Sequence, residues 1–392
     1  MSILKTCSNL LRASRTLMKQ NTFQIDVCRT LYSEAALGLD SFEYQKNRVR
    51  TQISDVEEKF RTKMSEYVTE NSKNIIFTED LKNMIYLAKE GDVDLVVKMM
   101  KRFNSQNKEL RFGNFIFGPV VMRMFYKLNK PNEALECYKS PELTGFFDQL
   151  MSHQVLFDLL YENKMYNEML DLYNLVKEKQ IESLKWARSL VVLTMAACYK
   201  LNTEESLEFA IKLWKDISQV GNLAARRSIT FCAALMINKG KPEIALEILS
   251  SLKNQNYTTV RNLKVLTLLQ LKRIDDVLPI LKSVLTEEAV HTFNKDVVEA
   301  VENYLKSENN AELTTEFNRV VKYYKEHGNI SESTLDDNLC SVINKLQPRP
   351  DFNQYGQLQR RDQNNRRPRY DFNDKKGGGG FTTRKVSLSQ ME

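Results

Sequence analysis

The sequence predicts an all-α fold, a right-handed solenoid of stacked helical hairpins. Three observations carry that prediction. An apolar pattern with spacing i, i+3, i+4, i+7 returns at Val96-Met99-Met100-Phe103, Met169-Leu172-Tyr173-Val176, Leu207-Ala210-Ile211-Trp214, Ala245-Ile248-Leu249-Leu252 and Val277-Ile280-Leu281-Val284, with a shortened copy at Ala134-Cys137-Tyr138. Such spacing places one apolar stripe on a helix. Copies recur every 32 to 38 residues, which leaves room for a second helix in each period and marks a repeat architecture. Finally, Gly and Pro are scarce in 392 residues (13 and 8), as a mostly helical body requires.

The elements follow in order. Residues 33–74 form a lead-in, with a charged helix over 42–70. Residues 75–285 form six hairpins, each with a helix A followed by a stripe-bearing helix B. Helix A is also apolar, at Leu81-Ile85-Tyr86, Val120-Met124-Phe125, Leu156-Leu159-Leu160, Val192-Ala196, Ala233-Ile237 and Leu266-Leu269. A hairpin with two apolar faces cannot bury both alone, so neighbours must stack. The connectors are centred on Gly91, Asn129, Lys164, Asn202, Gly240 and Lys272. Gly and Asn there accept the left-handed conformation that ends helix A. Pro131 and Pro242 then start helix B at the same register, where a missing N–H costs nothing. Pro279 requires the sixth helix B to start late, near Asp276, or to kink. Residues 286–346 are expected to close the stack with helices over 296–306, 313–325 and 333–346.

Charge divides the chain. Residues 1–32 carry +4 and residues 347–392 carry +5, so the body 33–346 carries −2. Within it, 221–285 carries +6 and 286–346 carries −6. A basic zone followed by an acidic cap says more about partners than the net +7 does. No apolar stretch is long enough to span a bilayer.

The two ends read as separate from the fold. In residues 1–32 the first acid is Asp26, and Lys5, Arg12, Arg15 and Lys19 flank an arc of Ile3, Leu4, Leu10, Leu11, Leu17 and Met18. That is the form of a mitochondrial transit peptide, with Arg29 suiting a processing site near 31–33. The alternative is a surface amphipathic helix of the mature fold. Residues 347–392 are rich in Arg, Gly, Asn and Gln, with interspersed aromatics, and are expected to be disordered. Arg360, Arg361, Arg366, Arg367 and Arg369 beside Tyr355, Tyr370 and Phe372 suit single-stranded nucleic acid; a solubilising tail is the alternative.

No enzyme signature is present. The three histidines (153, 291, 327) stand far apart, and the six cysteines show no paired spacing, so no catalytic residue, cofactor or metal site is assigned. His153 reads as a local cap or core partner, and Asp336-Asp337 as helix N-terminal or solvated acids. The best binding surface is the basic zone. Arg226 and Arg227 open one helix A, and Arg261 and Lys264 the next. With Lys239 and Lys241 on a connector nearby, they would make a phosphate track.

Gly240-Lys241-Pro242-Glu243-Ile244-Ala245 resembles the Gly-x-x-x-x-Ala element that crosses the hairpin in pentatricopeptide repeat proteins, and Asn129-Lys130-Pro131-Asn132-Glu133-Ala134 matches it with Asn for Gly. More specific likeness to mitochondrial members lies in Phe117-Gly118-Pro119, Tyr126-Lys127-Leu128, Gly145-Phe146-Phe147 and Cys198-Tyr199-Lys200-Leu201-Asn202. It extends over about residues 75–345. The resemblance implies a matrix protein that binds mitochondrial RNA without catalysing, acts in mRNA processing or maturation, and thereby serves the respiratory chain. RNA-processing proteins are the other expected partners, and a protein-binding scaffold is the alternative reading. One departure matters. In large plant-type members a polar residue at the fifth position of helix A reads a base; here those positions are Lys82, Val120, Val155, Leu193, Phe231 and Leu263. Five of the six cannot hydrogen-bond a base edge, which argues against a one-base-per-repeat code.

Overall fold

In the computed structural model, residues 30–344 are described, apart from 70, 71, 73, 107–114, 180–185, 222–223, 287–292 and 309, and apart from the side chains of 284 and 286. They fall in the first of two units, Met1–Lys345; the second, Leu346–Glu392, lies outside them. So do the transit-peptide reading of 1–29 and the tail arginines Arg360, Arg361, Arg366, Arg367 and Arg369.

The described chain is a stack of helical hairpins. A short helix α1 (Glu34–Leu37) leads through Gly38 into α2 (Leu39–Ile53) and α3 (Glu57–Tyr67). The expected lead-in helix is thus broken, at a 3-10 turn over Ser54–Val56. Six hairpins follow. They pair α4 (Thr78–Leu87) with α5 (Val93–Ser105), α6 (Gly118–Lys127) with α7 (Pro131–Lys139), and α8 (Leu150–Glu162) with α9 (Tyr166–Glu178). The remaining three pair α10 (Arg188–Leu201) with α11 (Glu204–Gln219), α12 (Arg226–Asn238) with α13 (Pro242–Ser250), and α14 (Thr258–Gln270) with α15 (Ile274–Thr286). Successive A helices (α4, α6, α8, α10, α12, α14) pack on one another.

Local chemistry explains the hairpins. Asn129, Lys164, Asn202, Gly240 and Lys272 all have positive φ, between 47° and 63°. In four of these connectors the residue after the left-handed one donates back five residues, as Lys130 N does to the Phe125 carbonyl at 3.0 Å and Lys241 N to that of Met236 at 2.9 Å. That pattern satisfies carbonyls that helix A would otherwise leave open. Lysines at 164 and 272 adopt this conformation without glycine's freedom, so packing on both sides imposes it. The first connector differs: Glu90–Asp92 is a 3-10 turn, and Gly91 is not left-handed. Asp92 there accepts from the Lys89 N–H at 2.8 Å and pairs with Arg61 of α3, so lead-in contacts replace the usual cap. Pro131 and Pro242 begin their helices. The sixth helix B neither starts late nor stops at Pro279, which sits in its second turn.

Most stripe members are core: Val96, Met99, Met100, Met169, Leu172, Ala245, Ile248 and Leu249 are fully buried. Truncating one of the larger members to alanine costs about 2–5 kcal/mol at such sites. Ile211 and Trp214 are only half-buried, so the fourth stripe reaches the surface at its end.

The end of the stack departs most from expectation. α16 (Lys295–Glu308) and α17 (Ala311–His327) cover the helices expected over 296–306 and 313–325. Residues 333–346, however, are not one helix. A two-residue parallel ladder joins β1 (Phe293–Asn294) to β2 (Ile330–Ser331). Only α18 (Leu335–Leu339) is helical, and the chain beyond it runs extended. Among the described residues no helix is long and apolar enough to cross a membrane.

Candidate nucleic-acid interface

An amphipathic repeat helix shows one apolar face, yet the middle A helices are buried all round. Every residue from Ser152 to Tyr161 of α8 is buried, and so is every residue from Ser228 to Ile237 of α12. One side packs on helix B and the neighbouring hairpins. The other side is covered by two straps from the ends of the chain. The N-terminal strap (30–37) crosses α6 and α8. Arg123 Nε of α6 donates to the Leu37 carbonyl at 2.8 Å, and Lys127 Nζ pairs with Glu34 at 3.1 Å. Gly38 turns the strap away with φ 72°, and a Cβ there would meet the Arg123 guanidinium at 2.8 Å.

The C-terminal strap (335–344) crosses α14, α12, α10 and α8. Arg227 of α12 holds its centre: Nη1 donates to the Leu339 and Ser341 carbonyls, and Nη2 to Ser341 Oγ, each at 2.7 Å. Lys200 of α10 pairs with Asp336 at 2.9 Å. The straps meet edge to edge in a parallel bridge between Tyr32 and Ile343. Ile343 N donates to Leu31 O at 2.8 Å and Ser33 N to Ile343 O at 3.1 Å.

Asp158 anchors this junction from α8. It is fully buried. One carboxylate oxygen accepts from Tyr32 N at 3.2 Å and the other from the Tyr126 hydroxyl at 3.1 Å, and the Leu31 backbone also hydrogen-bonds it. Burial pushes its carboxyl up to about 7, against the pull of these donors. Burial also raises the Tyr126 hydroxyl, helped by the negative charge of Asp158. The sequence signal for this residue is a lone acid inside Val155-Leu156-Phe157-Asp158-Leu159-Leu160.

The basic residues selected from the sequence do not make one stripe. Arg226 stacks on the Tyr257 ring, 3.8 Å from its centroid. Arg227 is committed to the strap. Arg261 is only 5% exposed and lies near Tyr324. The reason is depth: Arg226 is the first residue of α12, whereas Arg261 is the fourth of α14, one turn further in, where α12 has the buried Ile229. Lys239 pairs with Glu204 at 3.4 Å. Lys241 and Lys264 are half-buried and make no ion pair among the described residues. Lys239 and Lys241 sit one helix length, about 20 Å, from Arg226. The fifth positions Val120, Val155, Leu193, Phe231 and Leu263 are all buried; only Lys82 reaches solvent, paired with Glu79 at 3.3 Å.

The remaining sequence readings settle simply. His153 is a core partner, bonded to the Tyr138 hydroxyl and the Gln149 carbonyl, each at 2.9 Å, and burial lowers its pKa. Asp337 caps α18 through Thr334, as an N-terminal acid does. Asp336 instead ties the strap to Lys200. Cys137, Cys198 and Cys232 are buried free thiols. Among the described residues no cluster of His, Cys, Asp or Glu could hold a metal ion.

No protein-family model matches the chain. It is similar, however, to the curated protein "Pentatricopeptide repeat-containing protein 2, mitochondrial" of several animals. Identity is 29% with the mouse protein over 80% of this chain and 82% of that one. It is 28% with that of Xenopus laevis, over 81% and 83%, and 25% with the human protein, over 80% of each. The similarity to these mitochondrial pentatricopeptide repeat proteins thus extends over about four-fifths of the chain, at 25% to 29% identity.

Proposed function

We propose that this protein is a mitochondrial RNA-binding repeat protein of the matrix. It acts without catalysis in the processing or maturation of mitochondrial mRNA, and through that in respiratory-chain function. The observation that carries the reading is the basic zone on hairpins five and six of a chain so similar to named mitochondrial pentatricopeptide repeat proteins. The contacts expected there are phosphate contacts. The buried fifth positions leave no side chain to read bases, and Arg227 and Arg261 are used by the fold. Arg226, Lys239, Lys241 and Lys264 therefore form the RNA-facing set in the repeats. The tail arginines Arg360, Arg361, Arg366, Arg367 and Arg369 raise local affinity. A charge-reversed variant with all four of the first set changed to Glu is expected to lose binding to single-stranded RNA and to flatten its salt dependence. Affinity unchanged in that variant refutes the set. Crosslinking to mitochondrial RNA tests the function itself.

The straps favour one second reading, a scaffold for processing or assembly factors. The face of the A helices grips two segments of its own chain, each part short helix and part non-helical, largely through their backbone groups, and the same chemistry would grip a peptide. Recovery of protein partners without RNA decides for it.

A further inference from the structure

The junction of the straps holds a carboxylate without a cation. Asp158 is fully buried, and no Lys, Arg or His side chain pairs with it among the described residues. Its oxygens meet the Tyr126 hydroxyl and the backbone of Leu31 and Tyr32. Two carboxylate oxygens offer about four acceptor sites, so an ammonium, with three donors, would be better accommodated here than a single amide N–H. An uncompensated buried charge is costly, so a cation brought to this site would be held by a carboxylate with no other counter-ion among the described residues.

The main chain supplies where that partner would come from. Leu31 is fully buried, whereas Thr30 is half-exposed. Arg29 stands two residues before Leu31, at the end of an acid-poor leader. We infer that the chain is processed between Thr30 and Leu31, and that the Leu31 α-ammonium so created pairs with Asp158 and locks the two straps over the A helices. This rests on the mitochondrial reading above.

The step is hydrolysis by a processing endopeptidase. Water adds across the Thr30–Leu31 amide and the C–N bond breaks. The hydroxyl stays on the Thr30 carbonyl carbon, giving a carboxylate, and the nitrogen of Leu31 takes up protons to become an ammonium. Because Leu31 is buried and its carbonyl is bonded to Ile343 N at 2.8 Å, the cut precedes closure of the straps. A cut between Leu31 and Tyr32 would place an ammonium on the Tyr32 nitrogen that meets Asp158 at 3.2 Å. It removes, however, the fully buried Leu31 side chain and the Leu31 carbonyl that accepts from Ile343 N. Other neighbouring cuts fail to place the charge. A cut after Tyr32 removes both backbone groups that face Asp158 and leaves Ser33 N, which bonds Ile343 O. A cut before Thr30 leaves the ammonium beside a half-exposed residue. A site within the expected 31–33 would thus remove residues that the fold uses.

The test uses the full-length chain expressed in cells with a C-terminal tag. Mitochondria are isolated and treated with external protease, and the N-terminus of the recovered protein is mapped by mass spectrometry. A free N-terminal Leu31 is expected. A protected protein with any other N-terminus overturns the inference and leaves the mitochondrial reading standing. A chain left outside and uncut overturns both. The pairing has its own readout in Asp158→Asn. This change is expected to lower the melting temperature of the processed protein by at least about 3 °C and to raise that of the uncut chain. A change of the same sign in both forms overturns the ion pair. Failure of only the processed variant to fold is the expected result at greater strength.

Discussion

The two straps cover the same row of helices by partly different means. Arg123 and Lys127 hold the α1 end of the N-terminal strap, but its start is held at Asp158 by burial: a carboxylate out of water, the Tyr126 hydroxyl and the backbone of Leu31 and Tyr32. The C-terminal strap is held by cations that reach over it, with Arg227 bonded to carbonyls and Lys200 to an exposed-side carboxylate. The buried Asp158 anchor responds to pH and little to salt. The C-terminal strap responds to salt only at its rim, since Arg227 is half-buried and Lys200–Asp336 is wet. One molecule thus closes one face with two latches of different sensitivity.

The comparison can be broken at four places. Arg227→Ala removes three hydrogen bonds from a guanidinium and leaves the Leu339 and Ser341 carbonyls without their donor. A loss of about 3 kcal/mol is expected, with hydrogen-exchange protection lost at residues 339–343 before the hairpins open. Asp158→Asn in the uncut chain acts in the other direction. The folded carboxyl sits at about 7 against 3.8 unfolded, so between about pH 4 and 7 the folded state binds more protons and stability falls as pH rises. The groups facing it are Tyr126, Tyr32 and Glu162, and none supplies a compensating cation. The amide can accept from Tyr32 N and donate to Tyr126, so thermal unfolding at pH 7.5 should show a gain of about 1–2 kcal/mol and a flattened profile below pH 7. Tyr126→Phe deletes one buried donor and should cost about 1 kcal/mol while lifting the Asp158 pKa further, which NMR titration of the carboxyl would read. Lys200→Met removes a rim pair worth about 0.5 kcal/mol, an effect that should vanish in molar salt.

What the sequence disclosed follows the range of each signal. Helical period, Pro131, Pro242 and the connectors act within a turn or two, so the hairpins and their register were legible. The buried Val120, Val155, Leu193, Phe231 and Leu263 were legible for the same reason. The straps were not. Residues 340–344 carry no period, and what fixes them lies far away in the chain, as Arg227 lies 112 and 114 positions from its acceptors. Extrapolating helical pattern therefore turned 333–346 into a helix. The basic stripe failed through depth along the helix: Arg226 is the first residue of α12, whereas Arg261 lies one turn into α14, where Val260, Asn262 and Leu263 are buried with it. Gly91 misled because its hairpin leans on the lead-in helix and needs no left-handed cap.

The bond between Ile343 and Leu31 changes how such a chain folds. Open repeat arrays behave as one-dimensional chains, in which end units fray and units can be added or lost at will. Here the last described residues are stitched to the first, across the sides of four intervening helices. The hairpins can form early from local contacts, but the row closes only after a loop of some three hundred residues is drawn shut. Loop-closure entropy rises slowly with length, so this costs little more than a shorter loop, while the long separation slows the final step. Unfolding should therefore be a single cooperative event for the strapped hairpins, and inserting or deleting one repeat should break the seam and uncouple the two halves of the stack.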